Sequence, residues 1–106
     1  MIIDEHLYIG TMPEKTALKL VKKIKKFKIC PGTFVVTFPL FGEGLLEIYD
    51  VNEFQQEYYK KHSDDIHIVG ISQTRKGAFY LVRDIMDDVY KKSGTCDCVN
   101  YFNNLL

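Results

Sequence analysis

The sequence predicts an α+β fold, a βαββαβ core with extra C-terminal helices, on three observations. Apolar residues at helical spacing recur in two long segments, one after Met12 and one after Thr74. Runs rich in β-branched and aromatic residues lie before and between them. The two periodicities follow one another without a linker, an internal repeat or a low-complexity stretch, so residues 1–106 predict a single domain.

Leu7-Tyr8-Ile9-Gly10 predicts a short first strand. Thr11-Met12-Pro13-Glu14 then opens a helix. Thr11 and Glu14 have the spacing of a capping box, and Pro13 suits a first helical turn. Ala17, Leu20, Val21, Ile24 and Phe27 share the face that should be buried, and the helix should run to about Lys28 before Cys30-Pro31-Gly32. Thr33–Phe41 reads as a strand, with Pro39 placing its end at an edge or a bulge. Gly42-Glu43-Gly44 predicts a turn and Leu45–Tyr49 a hairpin partner. Asp50 and Glu53 have the spacing of a second capping box, opening a helix to about His62 with a stripe of Val51, Phe54 and Tyr58.

Ile66–Ile71 is apolar on nearly both faces, which predicts a central strand. Thr74 can cap the longest helix, Arg75 to Ser93, which Gly94 stops. Ala78, Leu81, Val82, Ile85, Met86 and Val89 give it a broad apolar face, with Phe79 and Tyr90 beside it. Asp97 can cap a last short helix through Tyr101 and Phe102. The order is the split βαβ pattern of ferredoxin-like folds, which predicts a four-stranded antiparallel sheet with two helices on one face. Phe34, Val36 and Phe38 point one way and Val35 and Phe41 the other, so both faces need cover. Either the C-terminal helices supply it, or a second subunit does.

Charged residues make up 26% of the chain and net charge is zero, but the charges are unevenly placed. Residues 1–33 hold seven lysines against three acidic residues, a balance of +4; residues 34–106 hold seven basic and eleven acidic residues, a balance of −4. Such a dipole favours self-association, a homodimer, or an oriented protein partner over general nucleic-acid binding. No apolar run approaches the ~20 residues of a membrane span, and Met1-Ile2-Ile3-Asp4-Glu5-His6 lacks the basic start of an export signal. Three cysteines, Cys30, Cys96 and Cys98, are an odd number for a disulfide framework, and the expected compartment is a reducing cytoplasm.

Two segments carry candidate binding chemistry. Lys15, Lys19, Lys22, Lys23 and Lys26 share one face of the first helix and could follow a phosphate backbone, although the same pattern describes a solvated face. Ser72, Thr74, Arg75, Lys76 and Gly77 lie where a strand turns into a helix. A helix N-terminus attracts anions, and two cations there are otherwise disfavoured by the helix dipole. Cys96-Asp97-Cys98 and the His62, Asp64, Asp65, His67 group lack the spacing of a metal site, and no cofactor is expected. There is no nucleophile elbow, Walker loop, dinucleotide fingerprint or zinc-protease motif, so the expectation is a non-enzymatic accessory or interaction module that associates with itself.

Two resemblances add to this. Leu7-Tyr8-Ile9-Gly10-Thr11-Met12-Pro13 resembles the first-strand motif of RNA-recognition-motif domains, which implies Tyr8 as a base-stacking residue. The family's second motif is missing from Gly44–Tyr49, and an ordinary buried strand explains the same residues. Ile68-Val69-Gly70-Ile71 together with Ala78, Leu81-Val82, Ile85, Tyr90, Ser93-Gly94-Thr95 and Asp97 resembles small proteins of Gram-positive, Firmicutes-type bacteria, some carried on mobile elements. That resemblance implies a bacterial source and no particular activity. The excess of lysine over arginine, twelve to two, fits an AT-rich genome.

Overall fold

The computed structural model describes residues 1–40 and 45–105. Its elements are β1 (Ile2–Ile9), α1 (Glu14–Lys25), β2 (Phe34–Thr37), β3 (Glu47–Asp50), a 3-10 turn (Val51–Gln55), α2 (Glu57–Lys61), a second 3-10 turn (Ser63–Asp65), β4 (His67–Ser72), α3 (Arg75–Ser93) and α4 (Cys98–Asn103). The expected Gly42-Glu43-Gly44 turn and the side chain of Phe41 lie outside the described residues.

The four strands form one sheet in the order β1-β4-β2-β3. β2 is antiparallel to both of its neighbours, but β1 runs parallel to β4. This corrects the expectation of a wholly antiparallel sheet. The physical reason lies in where polar residues can sit. Ile68, Val69 and Ile71 are fully buried, so β4 must be interior, as its sequence predicts. β1 carries Asp4, Glu5 and His6 in its middle and is tolerated only at an edge.

A bulge in β4 sets which side chains face which way. Val36 pairs with Gly70 and Thr37 with Ile68, leaving Val69 as the extra residue. Ile68 and Ile71 therefore join one core, with Ala17, Ile24, Val35, Tyr49, Val51, Phe54 and Ile66. Val69 joins a second, with Val36, Phe38, Ala78, Leu81, Ile85, Val89 and Phe102. Gly70 sits against this second core: a Cβ there would lie 3.4 Å from the Leu81 side chain and 3.3 Å from Val36. Its absence lets α3 approach the sheet closely.

The helices consequently lie on opposite faces, not on one. α1 and the Val51–Lys61 segment cover the first face; α3 and α4 cover the second. Of the two covers expected for the second face, the C-terminal helices supply it within the chain.

Helix α1 keeps the predicted pattern: Ala17 and Ile24 are buried, Leu20, Val21 and Phe27 are partly buried, and Lys15, Lys19, Lys22, Lys23 and Lys26 are exposed. Its ends differ from expectation. Pro13 occupies the cap position and no side chain caps the helix, so Thr11 is not the cap. At the other end the amide of Phe27 donates to Ile24 O and that of Lys28 to Lys23 O. This is a Schellman closure with Phe27 at φ 56° where glycine is common, and it stops the helix at Lys25, short of Lys28.

The Asp50–Glu53 capping box forms, but it opens a 3-10 turn and not a long helix. Val51 and Phe54, three residues apart, lie on one face of a three-residue repeat and are both buried. Gln56 then returns to extended backbone before α2 begins. Tyr59, and not Tyr58, packs on Tyr49 and Phe54. α3 keeps its predicted bounds, with Thr74 as cap and Gly94 at φ 71° as stop, and Asp97 caps α4. The first strand begins earlier than expected, at Ile2, because the Ile2 amide bonds Ile66 O.

Two tyrosines tie polar groups into these cores. The Tyr8 hydroxyl donates to Asp88 at 2.6 Å, and the Tyr49 hydroxyl to Glu47 at 3.0 Å. Burial first, and then these carboxylates, hold both phenols above the ordinary tyrosine range. Burial also pushes the Cys30 and Cys98 thiols up. In the unfolded chain thiols ionise near pH ~8.5 and phenols near ~10. The folded state holds these protons to higher pH, so stability is intact below those values and lost as pH rises through them. The melting temperature should begin to fall above about pH 8.5 and fall more steeply above about 10. Tyr8→Phe, which cannot ionise, should flatten the steeper part. A melting temperature unchanged up to about pH 11 would contradict this.

Candidate functional site

The parallel pair β1–β4 ends in two turns that diverge. From β1 the chain passes through Gly10 and Thr11 to α1 on one face; from β4 it passes through Gln73 and Thr74 to α3 on the other. In an open α/β sheet this is the switch point, and the crevice beyond the strand ends is where ligands are generally held. The two turns are drawn together at backbone level. The Gly10 amide donates to Ile71 O at 2.9 Å, and a Cβ on Gly10 would lie 3.1 Å from Ser72 Oγ.

The crevice holds two cavities that share Thr11 and Gly77. The inner one, of about 140 Å³, is lined by Thr11, Ser72, Gln73, Thr74 and Gly77. The outer one, of about 270 Å³, adds Gly10, Tyr80 and Asp84. Thr11, not used as a helix cap, is thereby free to line both.

Short polar residues at the end of β4 organise the start of α3. Ser72 is buried, and its Oγ accepts from the Thr74 amide at 3.3 Å. Thr74 Oγ1 accepts from the Gly77 amide at 2.9 Å. A Cβ at Gly77 would collide with the Ser72 hydroxyl and come within 2.9 Å of Thr74 Oγ1, so these side chains would have to shift to admit it. Gly77 meets its capping demand from within the chain, and the helix dipole adds a positive potential at the mouth of the inner cavity.

Of the residues expected to bind an anion, Ser72, Thr74 and Gly77 line the crevice. Arg75 and Lys76 do not. The Arg75 guanidinium lies 5.0 Å from the centre of the Phe34 ring, on the β2 side of α3, and Lys76 Nζ lies 5.8 Å from that of Tyr80. These aromatic partners account for two cations at a helix start without a bound anion. Gln73, inside the same Ser72–Gly77 segment, also lines the crevice, while Gly10, Thr11, Tyr80 and Asp84 are crevice residues that sequence reasoning missed. Gly10 and Thr11 end a strand in the sequence, but only the parallel pairing brings that end beside Ser72.

The remaining candidates are not assembled. Tyr8 does not present a stacking face: its ring meets Phe102 edge-on at 6.1 Å beneath α4 and its hydroxyl is engaged by Asp88. Cys98 is buried, with its Sγ 3.3 Å from Met86 Sδ, while Cys96 is exposed. His62 pairs loosely with Asp65 at 3.8 Å, and His67 turns away to Asp4. Among the described residues no group of three or more His, Cys, Asp or Glu is placed to hold a metal.

The contact between Gly77 and Ser72 generates a prediction with a sign opposite to helix propensity. Glycine to alanine within a helix ordinarily stabilises by up to ~1 kcal/mol. Here Gly77→Ala should destabilise, by about 1–2 kcal/mol, because the new methyl displaces the Ser72 hydroxyl and disturbs the Thr74 cap. Adding Ser72→Ala should recover part of that loss, since the remaining Ser72 Cβ is 3.4 Å from the new atom. Denaturant unfolding of the four members of the cycle measures it; strictly additive effects would contradict the contact.

No family model, curated protein or solved structure matches the chain.

Proposed function

We propose that this chain is a binding domain that takes a small anionic ligand, one carrying a phosphate, sulfate or carboxylate group, in the crevice between the β1–α1 and β4–α3 turns. The observation that supports it is the parallel β1–β4 pair with its two helices on opposite faces. The anionic group belongs in the inner cavity, where the start of α3 supplies positive potential and Ser72, Thr74 and Thr11 supply hydroxyls. Asp84, in the outer cavity, suits a hydroxyl or amine on the same ligand and disfavours a second negative group there.

A second reading is the self-associating interaction module, with a copy of this chain as partner. Phe79 and Tyr90 support it: they stand 58% and 62% exposed, three turns apart on one line of α3. The lysine face of α1 keeps nucleic acid as a third partner, although only two arginines are available in the whole chain for bidentate phosphate contacts.

Titrating inorganic phosphate into the isotope-labelled protein tests the first reading. The amides of Gly10, Thr11 and Thr74 to Gly77 should shift saturably, and Arg75→Ala with Lys76→Ala should weaken the effect by lowering the local potential. Spectra unchanged at tens of millimolar phosphate would remove the anion site. A dimeric mass by light scattering at micromolar concentration, lost in Phe79→Ser with Tyr90→Ser, would favour the second reading.

A further inference from the structure

The opposite end of the parallel pair holds another cavity, separate from the crevice. Between Ile3, which faces Ile68, and Tyr8, which faces Gly70, β1 has four residues where β4 has one. The surplus, Asp4 to Leu7, bulges from the sheet edge, and such bulges re-aim side chains. Here the bulge turns Asp4 back toward β4. One carboxylate oxygen of Asp4 accepts from the His6 amide at 2.8 Å, and the other lies 2.9 Å from His67 Nε2. Both side chains are largely covered, with 11% of Asp4 and 22% of His67 exposed, and the His67 ring packs on Phe38 at 4.3 Å. The carboxylate is therefore fixed in place before any ligand arrives.

Beside this fixed pair is a cavity of about 270 Å³, close to the size that encloses small molecules. Ile2, Ile3 and Phe102 give it apolar walls; Asp4, Glu5 and Asn103 give it acceptors. His6 and His67 complete the lining, and among the described residues no lysine or arginine lines it. An ionised carboxylate has about four acceptor positions, and Asp4 has used two. We propose that this cavity binds a small primary amine with a short apolar body. Its ammonium group bonds the open positions of Asp4 and the carboxylate of Glu5, and its hydrocarbon packs between Ile3 and Phe102. A carboxylate-bearing ligand is rejected by the same two acidic groups.

The test is a titration of n-butylammonium chloride into the isotope-labelled full chain, with sodium butyrate and butanol as matched controls. Saturable shifts at Ile3, Glu5, His67, Phe102 and Asn103 are expected with butylammonium and not with the controls. Asp4→Asn should weaken binding by about tenfold or more, the usual scale for losing a charge-assisted hydrogen bond. If Asp4→Asn does not fold, Glu5→Gln, at an exposed position, serves instead and should weaken binding several-fold. Absence of saturable shifts, equal response to butanol or butyrate, or unchanged affinity in the folded variant would overturn the proposal.

Discussion

Strand β4 carries fully buried side chains to both sides of the sheet, and the rest of the architecture accommodates that fact. A strand of this kind cannot lie at an edge, and it cannot leave either face to solvent without exposing Ile68 and Ile71 on one side or Val69 on the other. The bulge at Val69 sharpens the demand, because it moves Ile71 onto the α1 side with Ile68 and turns Gly70 toward α3. Two separate cores follow. Each needs its own helical cover, which α1 provides on one face and α3 with α4 on the other.

The two candidate binding sites are consequences of the same constraint. With β4 inside, the polar first strand takes the neighbouring edge and runs parallel to it. Parallel strands followed by helices on opposite faces leave a crevice where their turns part, and there Gly10, Thr11, Ser72, Thr74 and Gly77 meet. At the other end the acidic middle of β1 cannot keep register against the apolar β4. It bulges, and Asp4 finds His67. Function at either end would rest on chemistry brought together by pairing, not on a contiguous motif.

Local structure was legible in the sequence wherever a local cause dominates. α3 has its predicted bounds because Thr74, Gly94 and a broad apolar face agree, and Asp97 caps α4 for the same kind of reason. The lysine and apolar faces of α1 follow from periodicity alone. Legibility fails where a longer-range term decides. Thr11 has capping spacing yet lies in the crevice, and the capping box of Asp50 and Glu53 starts a 3-10 turn because Val51 and Phe54 are buried at a three-residue spacing. The parallel direction of β1 and the placing of the helices on opposite faces were not legible, because the element sequence of a split βαβ pattern does not encode which strand pairs with the first. Half of the crevice was visible as the Ser72–Gly77 segment; Gly10 and Thr11 belong to it only through that pairing. Asp4 and His67, 63 residues apart, carry no joint signal in the sequence.

The neighbours of β1 are therefore the point on which the account turns. Cross-strand nuclear Overhauser effects in the isotope-labelled protein identify them directly. The account predicts contacts from Ile3 to the Ile68 region and from Ile9 to the Ile71 region in a parallel pattern, with the Gly10 amide protected from exchange by Ile71 O. It predicts none from β1 to Glu47–Asp50. Contacts from β1 to β3 as well as to β4, placing β1 inside the sheet, would contradict it and dissolve both the crevice and the bulge-bound cavity.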